Sequence, residues 1–136
     1  MITILFLDDS IARHAYIYSR FGQKYRRCTG QIDQYTAIDP DTQQECSVIH
    51  TFRVAQAKQI LSIKIIDVLL LDNDLVKDGG PKEEGREIVN FISSLKKEHW
   101  PKKVIIHTWN EPAAKLMQAG LQELGIPYER IPFTCA

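Results

Sequence analysis

Four aspartates close two apolar runs of this chain. ITILFLDD, Ile2 to Asp9, ends in Asp8 and Asp9, and IDVLLLDNDL, residues 66–75, ends in Asp72 and Asp74 with Asn73 between them. If the two runs are neighbouring strands, Asp8 or Asp9 comes close to Asp72. Like charges at that separation disfavour joint ionisation, so either one carboxyl keeps a proton or a cation sits between them. Several carboxylates with a carbonyl and waters suit Mg²⁺, which keeps part of its water shell and shares its coordination with a phosphate. Asp8, Asp9, Asp72 and Asp74 are therefore candidate ligands for Mg²⁺ or another divalent cation. No Cys/His pairing of zinc type accompanies them. Either acid pair alone would be explained by capping of a helix or turn. Two pairs at equivalent strand ends point to a site.

A third run, Lys103 to Asn110 (KVIIHTWN), ends in His107, Thr108, Trp109 and Asn110. An imidazole there can donate to a phosphate or act as general acid or base near neutral pH, which makes His107, with Asp72, the candidate catalytic pair. Asn110 is a good helix N-cap, and the helix it opens presents oriented N–H groups to an anion. Arg13, one turn into the helix after the first run, can grip phosphate oxygens in bidentate fashion. Arg13, Thr108 and Asn110 thus form the candidate phosphate-binding set. Trp109 either shields the site, the favoured reading, or stacks on a base. His14, His50 and His99 stand in no comparable pattern.

The elements that must position these groups follow from periodicity. Residues 2–7, 47–50, 65–71, 104–107 and 128–133 read as strands, the third as the most apolar and the sheet centre. On a helix capped by Ser10, Ala12, Tyr16, Ile17 and Phe21 lie near one face, and Gly22 is its stop. A second, capped by Thr51, buries Val54, Ala57, Ile60 and Leu61. A third opens at Gly85, carries Ile88, Val89, Ile92 and Leu95, and ends near Trp100-Pro101. The fourth runs from Asn110 to Gly125 with Ala113, Leu116, Met117, Gly120, Leu121 and Leu124 on its apolar face. Alternating strands and helices predict a five-stranded, doubly wound parallel sheet of flavodoxin type, order 2-1-3-4-5, with its ligand site beyond the carboxyl ends of strands one and three.

Residues 23–46 form a polar insertion after the first helix, broken by Gly30 and Pro40. Alternation over Gln31–Ile38 permits a hairpin turning at Asp39-Pro40-Asp41. A surface insertion is the favoured reading and a flap over the site the alternative. Residues 72–84 read as a long loop, and Gly79-Gly80-Pro81 lacks the spacing of a phosphate-cradling loop.

The chain has 136 residues, 44% hydrophobic and 25% charged, with zero formal net charge. That fits one domain, 1–136, with a real core, and argues against a broad electrostatic nucleic-acid footprint. Lys24–Arg27 and Lys96–Lys103 read as solvated surface. Cys28, Cys46 and Cys135 read as free thiols of a reducing cytoplasm, with a Cys28–Cys46 disulfide as the minor alternative. No signal peptide is visible, and no apolar run approaches the roughly 18 residues of a membrane span, so no membrane partner is expected.

ITILFLDD with Arg13, then LLLDNDL, the helix start at Gly85 and IIHTWNEPAAKLM together resemble the cyclic-phosphate-processing receiver-like domain family, a divergent branch of response-regulator receivers. The resemblance covers residues 2–22 and 47–133 and leaves out the insertion. It implies a receiver-like fold and the activity proposed for the family, processing of cyclic phosphate ends on RNA or nucleotides. Asp8, Asp9, Arg13, Asp72, Asp74, His107 and Asn110 match the family's polar positions. Asn73 stands where members usually carry histidine. Against true receivers, Thr108 matches the hydroxyl residue, while Ile131 before Pro132 stands where a lysine is used to couple phosphorylation to conformation. The expectation is a metal-assisted phosphoesterase for cyclic or terminal phosphates, with a nucleotide or RNA end as substrate. The alternative is a receiver-like signalling or protein-interaction module without catalysis.

Overall fold

β1, Ile2–Leu7, runs through the middle of the sheet because its side chains are covered on both faces. In the computed structural model, residues 1–24, 30–75 and 83–132 are described. α1 spans Ile11–Arg20, β2 Asp33–Ile38, β3 Glu45–Thr51, α2 Val54–Ile63 and β4 Val68–Leu71. A short ladder of β5, Asp74–Leu75, and β6, Glu83–Glu84, precedes α3, Arg86–Ser94, and a 3₁₀ turn, Lys97–His99. β7, Lys103–Ile106, α4, Glu111–Leu124, and β8, Tyr128–Arg130, complete the described fold.

The sheet order is β2-β3-β1-β4-β7-β8. β3, β1, β4, β7 and β8 are parallel and reproduce the expected flavodoxin-type order. β2 adds an antiparallel edge strand beside β3. The insertion's alternation is thus a hairpin, but its return strand is β3 itself. Asp39 organises the turn: its Oδ1 accepts from Asp41 N at 2.8 Å and its own N–H donates to Gln44 O at 2.8 Å.

Strand alternation divides the core between the two faces. Leu5, Leu7, Ile49, Leu69, Leu71, Val104 and Ile106 meet α2, α3 and α4. Ile4, Phe6 and Val48 meet Ile17, Tyr18 and Phe21 of α1, with Tyr35 of β2. Each such fully buried side chain contributes roughly 1.5–3 kcal/mol by removal from water.

Several local expectations change. α1 buries His14, Ile17 and Tyr18, while Tyr16 is 46% exposed. Thr51 is not a cap; it ends β3, and its hydroxyl donates to Phe6 O at 2.9 Å. α2 is held at its start by Gln56, whose Oε1 accepts from Phe52 N at 2.8 Å and Arg53 N at 3.2 Å. α3 ends at Ser94, before the 3₁₀ turn and not at Trp100. Leu116 points to solvent, and α4 buries Ala114 instead. Ser10, Asn110 and the left-handed Gly125 (φ 79°) cap as expected. Cys46 is a buried free thiol. Cys28, Cys135 and Gly79-Gly80-Pro81 lie outside the described residues. No helix among the described residues is long and apolar enough to cross a membrane.

Candidate metal and anion site at the sheet edge

Register builds this site. Leu7 pairs with Leu71 and Leu71 with Ile106, so the next residues, Asp8, Asp72 and His107, stand abreast. Backbone bonds carry the ladder one step further: Asp8 N to Thr51 O at 3.2 Å, Asp72 N to Leu7 O at 3.3 Å and His107 N to Leu71 O at 3.1 Å. All three side chains are buried, and their donor atoms lie within 4.8 Å of one another.

Each carboxylate is tied down on both oxygens. Asp8 Oδ1 accepts from Ser10 N at 2.8 Å, and its Oδ2 lies 2.9 Å from His107 Nε2 and 3.2 Å from Arg13 Nη1. Asp72 Oδ1 accepts from Asn73 N at 2.9 Å, and its Oδ2 accepts from the same Arg13 Nη1 at 3.3 Å. Burial is the largest influence on Asp8 and pushes its carboxyl up. The hydrogen bond and charge of His107, the Ser10 N–H and Arg13 outweigh it, holding Asp8 below the usual carboxylate range. Asp72 is pushed up to about 7, by burial first and then by Asp8 and Asp9, against the pull of Arg13. Burial lowers His107, against the hydrogen bond and charge of Asp8, to which its Nε2 donates. The expected conflict between the two acids is therefore resolved unequally.

The remaining candidates surround this core. Asp9, Ser10, Arg13, Asp72, Asp74, Thr108 and Trp109 line a cleft of about 310 Å³. Asp74 Oδ1 accepts from Asn110 Nδ2 at 3.2 Å and from Asn73 Nδ2 at 3.4 Å. Asn110 caps α4 through Oδ1, accepting from Ala113 N at 3.1 Å. Thr108 Oγ1 accepts from Asn110 N at 3.1 Å. Trp109 is 63% exposed. Asp9 and Asp74 stand in the cleft wall and not in the close donor group of Asp8, Asp72 and His107. His107 lies behind the acids, outside the cleft lining.

Asn73 is a structural tie. Its Oδ1 accepts from Arg86 N at 3.2 Å and its carbonyl from Gly85 N at 2.8 Å, which fastens the start of α3 to the acid-bearing loop.

Three residues of the neighbourhood were not anticipated. His14 Nε2 lies 2.7 Å from Asp8 O, and its Nδ1 lies 2.7 Å from Nδ1 of His50. The signal was present, since 14, 17, 18 and 21 form one helical stripe. Arg130 of β8 donates to Thr108 O at 3.4 Å and Glu111 Oε2 at 2.8 Å. The last strand thus does bring a cation toward Thr108, one residue before Ile131.

Residues 3–123 match the family model of the cyclic-phosphate processing receiver domain. The chain belongs to this family. No match was found among curated proteins. In this receiver domain the two strand-end carboxylates supply the hard oxygen donors that a divalent cation takes. Asp72 remains pushed up beside Arg13, so one guanidinium leaves Asp8, Asp9 and Asp72 short of positive charge. Donor chemistry and charge both fit a metal ion.

Proposed function

We propose that this receiver domain is a metal-assisted phosphoesterase acting on cyclic or terminal phosphates of nucleotides or RNA ends, within a reducing cytoplasm. The observation that carries the reading is the convergence of Asp8, Asp72 and His107 beside Arg13, with Asp72 and Arg13 lining a cleft sized for more than a bare phosphate. Family membership supports it.

Asp8 and Asp72 would hold the cation, Mg²⁺ by donor type, with Asp9 and Asp74 in the cleft wall for direct or water-mediated contact. When bound, the cation supplies a lowered pKa for water and charge neutralisation at the phosphate. Arg13 offers a planar fork of donors beside both acids. The Thr108 loop adds a polar group on the same wall, and the α4 start, capped by Asn110, follows directly after it. Asp72 lines the cleft and is the acid that meets substrate. His107 works through Asp8, donating from Nε2 and fixing the carboxylate's orientation. Trp109 offers a flat apolar surface to a base or sugar.

Incubation with nucleoside 2′,3′-cyclic phosphates and cyclic-phosphate-ended short RNAs, with Mg²⁺ or with EDTA, tests the reading. Metal-dependent ring opening is expected. No turnover across this panel overturns it. The competing reading is a receiver-like signalling or protein-interaction module. The position of Asp72 at the end of the central strand, next to Thr108, favours it. Intact mass after acetyl phosphate treatment decides it: a phosphoryl adduct lost in Asp72→Ala supports that role.

A further inference from the structure

Behind the cleft lies a file of buried polar groups that the proposed reaction does not use. His14 of α1 and His50 of β3 are both fully buried. Their Nδ1 atoms are 2.7 Å apart, His14 Nε2 is 2.7 Å from the main-chain oxygen of Asp8, and His50 Nε2 is 2.9 Å from the Tyr35 hydroxyl. Rings wall the file on both sides. Phe52 stacks on His14 at 3.9 Å between centroids, and Tyr18 stacks on His50 at 4.2 Å.

One constraint fixes the direction of every bond. A carbonyl oxygen only accepts, so His14 carries its proton on Nε2. A neutral His14 then accepts at Nδ1, which obliges His50 to donate from Nδ1. His50 Nε2 is left as an acceptor and takes the Tyr35 hydroxyl proton. The donors run one way: Tyr35 to His50, His50 to His14, His14 to Asp8. Any other pairing of neutral tautomers sets two N–H groups or two lone pairs against each other at 2.7 Å, either between the two rings or between His14 Nε2 and the Asp8 carbonyl. Burial of unmatched polar groups is costly, so the matched arrangement dominates.

We propose that His14 is a positioning residue for Asp8, held in its donor form by His50 and Tyr35. The Asp8 carboxylate is oriented by Ser10, Arg13 and His107, but those contacts place it only if the main chain beneath is fixed. Thr51 holds the Asp8 N–H and His14 holds the Asp8 carbonyl, on the two peptide units that flank Asp8 where β1 leads into α1. The insertion enters through Tyr35, which sits on β2. It supports the acid site from behind through two imidazoles. Its importance for catalysis rests on the phosphoesterase reading, while the arrangement of Asp8 can be tested without it.

The test uses the full chain, with nitrogen-labelled histidine and carbon-labelled aspartate, in EDTA. Nuclear magnetic resonance is expected to show His14 as the Nε2–H and His50 as the Nδ1–H tautomer. His14→Phe keeps a ring but loses the donor, and should shift the Asp8 carboxyl and His107 signals. His14→Gln, whose amide reaches the Nε2 position, should restore them toward wild type. Tyr35→Phe should move the nitrogen signals of both imidazoles, and it decides the relay even if His14→Phe fails to fold. A separate Mg²⁺ titration should show affinity about tenfold weaker in His14→Phe and recovered in His14→Gln. An Nδ1–H tautomer at His14, or Asp8 signals unmoved in His14→Phe, overturns the proposal. If wild type binds no Mg²⁺, the metal reading of the site falls, while the tautomers and Asp8 shifts still decide this one.

Discussion

The carbonyl oxygen of Asp72 occupies the space where Gly85 would carry a side chain. An ideal Cβ on Gly85 would fall 1.9 Å from that oxygen. Gly85 has ordinary helical angles (φ −61°, ψ −26°), so close approach and not conformational freedom requires glycine there. The same contact packs the start of α3 against the acid loop, with Gly85 N donating to Asn73 O at 2.8 Å. Gly85→Ala must therefore push Asp72 or α3 away. Urea unfolding should show a loss of about 2 kcal/mol or more. Mg²⁺ affinity should fall with it, and an unchanged midpoint would mean that the loop yields without strain.

Asp72 gives a pH signature in metal-free buffer. Its carboxyl is raised from 3.8 to about 7 in the folded state. Between those values the native chain binds more protons than the unfolded one, so the Asp72 contribution declines as pH rises and is lost above about 7. His14 acts in the opposite sense. Burial pushes it down from 6.5 to about 4, so its contribution is present above 6.5 and lost as pH falls toward 4. Asp72→Asn separates the two. Its stability advantage over wild type in EDTA should grow from pH 5 to pH 8, by on the order of 1–4 kcal/mol. Mg²⁺ should stabilise wild type and leave Asp72→Asn nearly unmoved. A difference that stays flat with pH would show that Asp72 ionises normally.

These acids were legible in the sequence because parallel strands without bulges keep register. A run of apolar residues ending in a polar group declares where a strand stops, and Asp8, Asp72 and His107 stop together. The helical stripe of α2 was legible for the same reason, since every buried position is apolar. α1 was misread where burial and polarity disagree. Tyr16 looks like a core residue and faces solvent, while His14 looks like a surface residue and is fully buried. What decides between them is a carbonyl just past the end of β1 and an imidazole on β3, and neither partner is a property of the helix. The insertion shows the same limit. Its period-two pattern announced a strand, but the partner, β3, had already been assigned to the parallel sheet.

Arg13 is the fixed positive charge beside both acids, at 3.2 Å from Asp8 Oδ2 and 3.3 Å from Asp72 Oδ2. Arg13→Ala leaves two buried carboxylates facing each other. Thermal unfolding in EDTA should show a larger destabilisation at pH 8 than at pH 5, because protonation of Asp72 relieves the repulsion at the lower pH. Added Mg²⁺ should then stabilise Arg13→Ala more than wild type, since the cation replaces the missing charge. Phosphate binding should weaken in the same variant, because the guanidinium fork is lost. Equal destabilisation at both pH values would remove Arg13 from the charge balance of the site.

Trp109 separates a shielding role from a substrate-contacting one. The ring is 63% exposed yet forms part of the wall that also contains Arg13 and Asp72. The chain's other tryptophan, Trp100, is tied down by an indole N–H bond to Leu95 O at 3.0 Å. A Trp100→Phe background therefore leaves one reporter at the cleft. Nucleoside cyclic phosphates should quench its fluorescence, whereas inorganic phosphate should not, because only a base presents a ring for stacking. Base–aromatic stacking is worth roughly 1–3 kcal/mol, so Trp109→Ala should cost about 5- to 150-fold in affinity for a nucleotide. The same variant should cost little for phosphate alone, and its melting temperature should hold. A ring that merely shields the acids predicts equal losses for both ligands and no base-dependent quenching, so the ratio of the two affinities decides which role Trp109 performs.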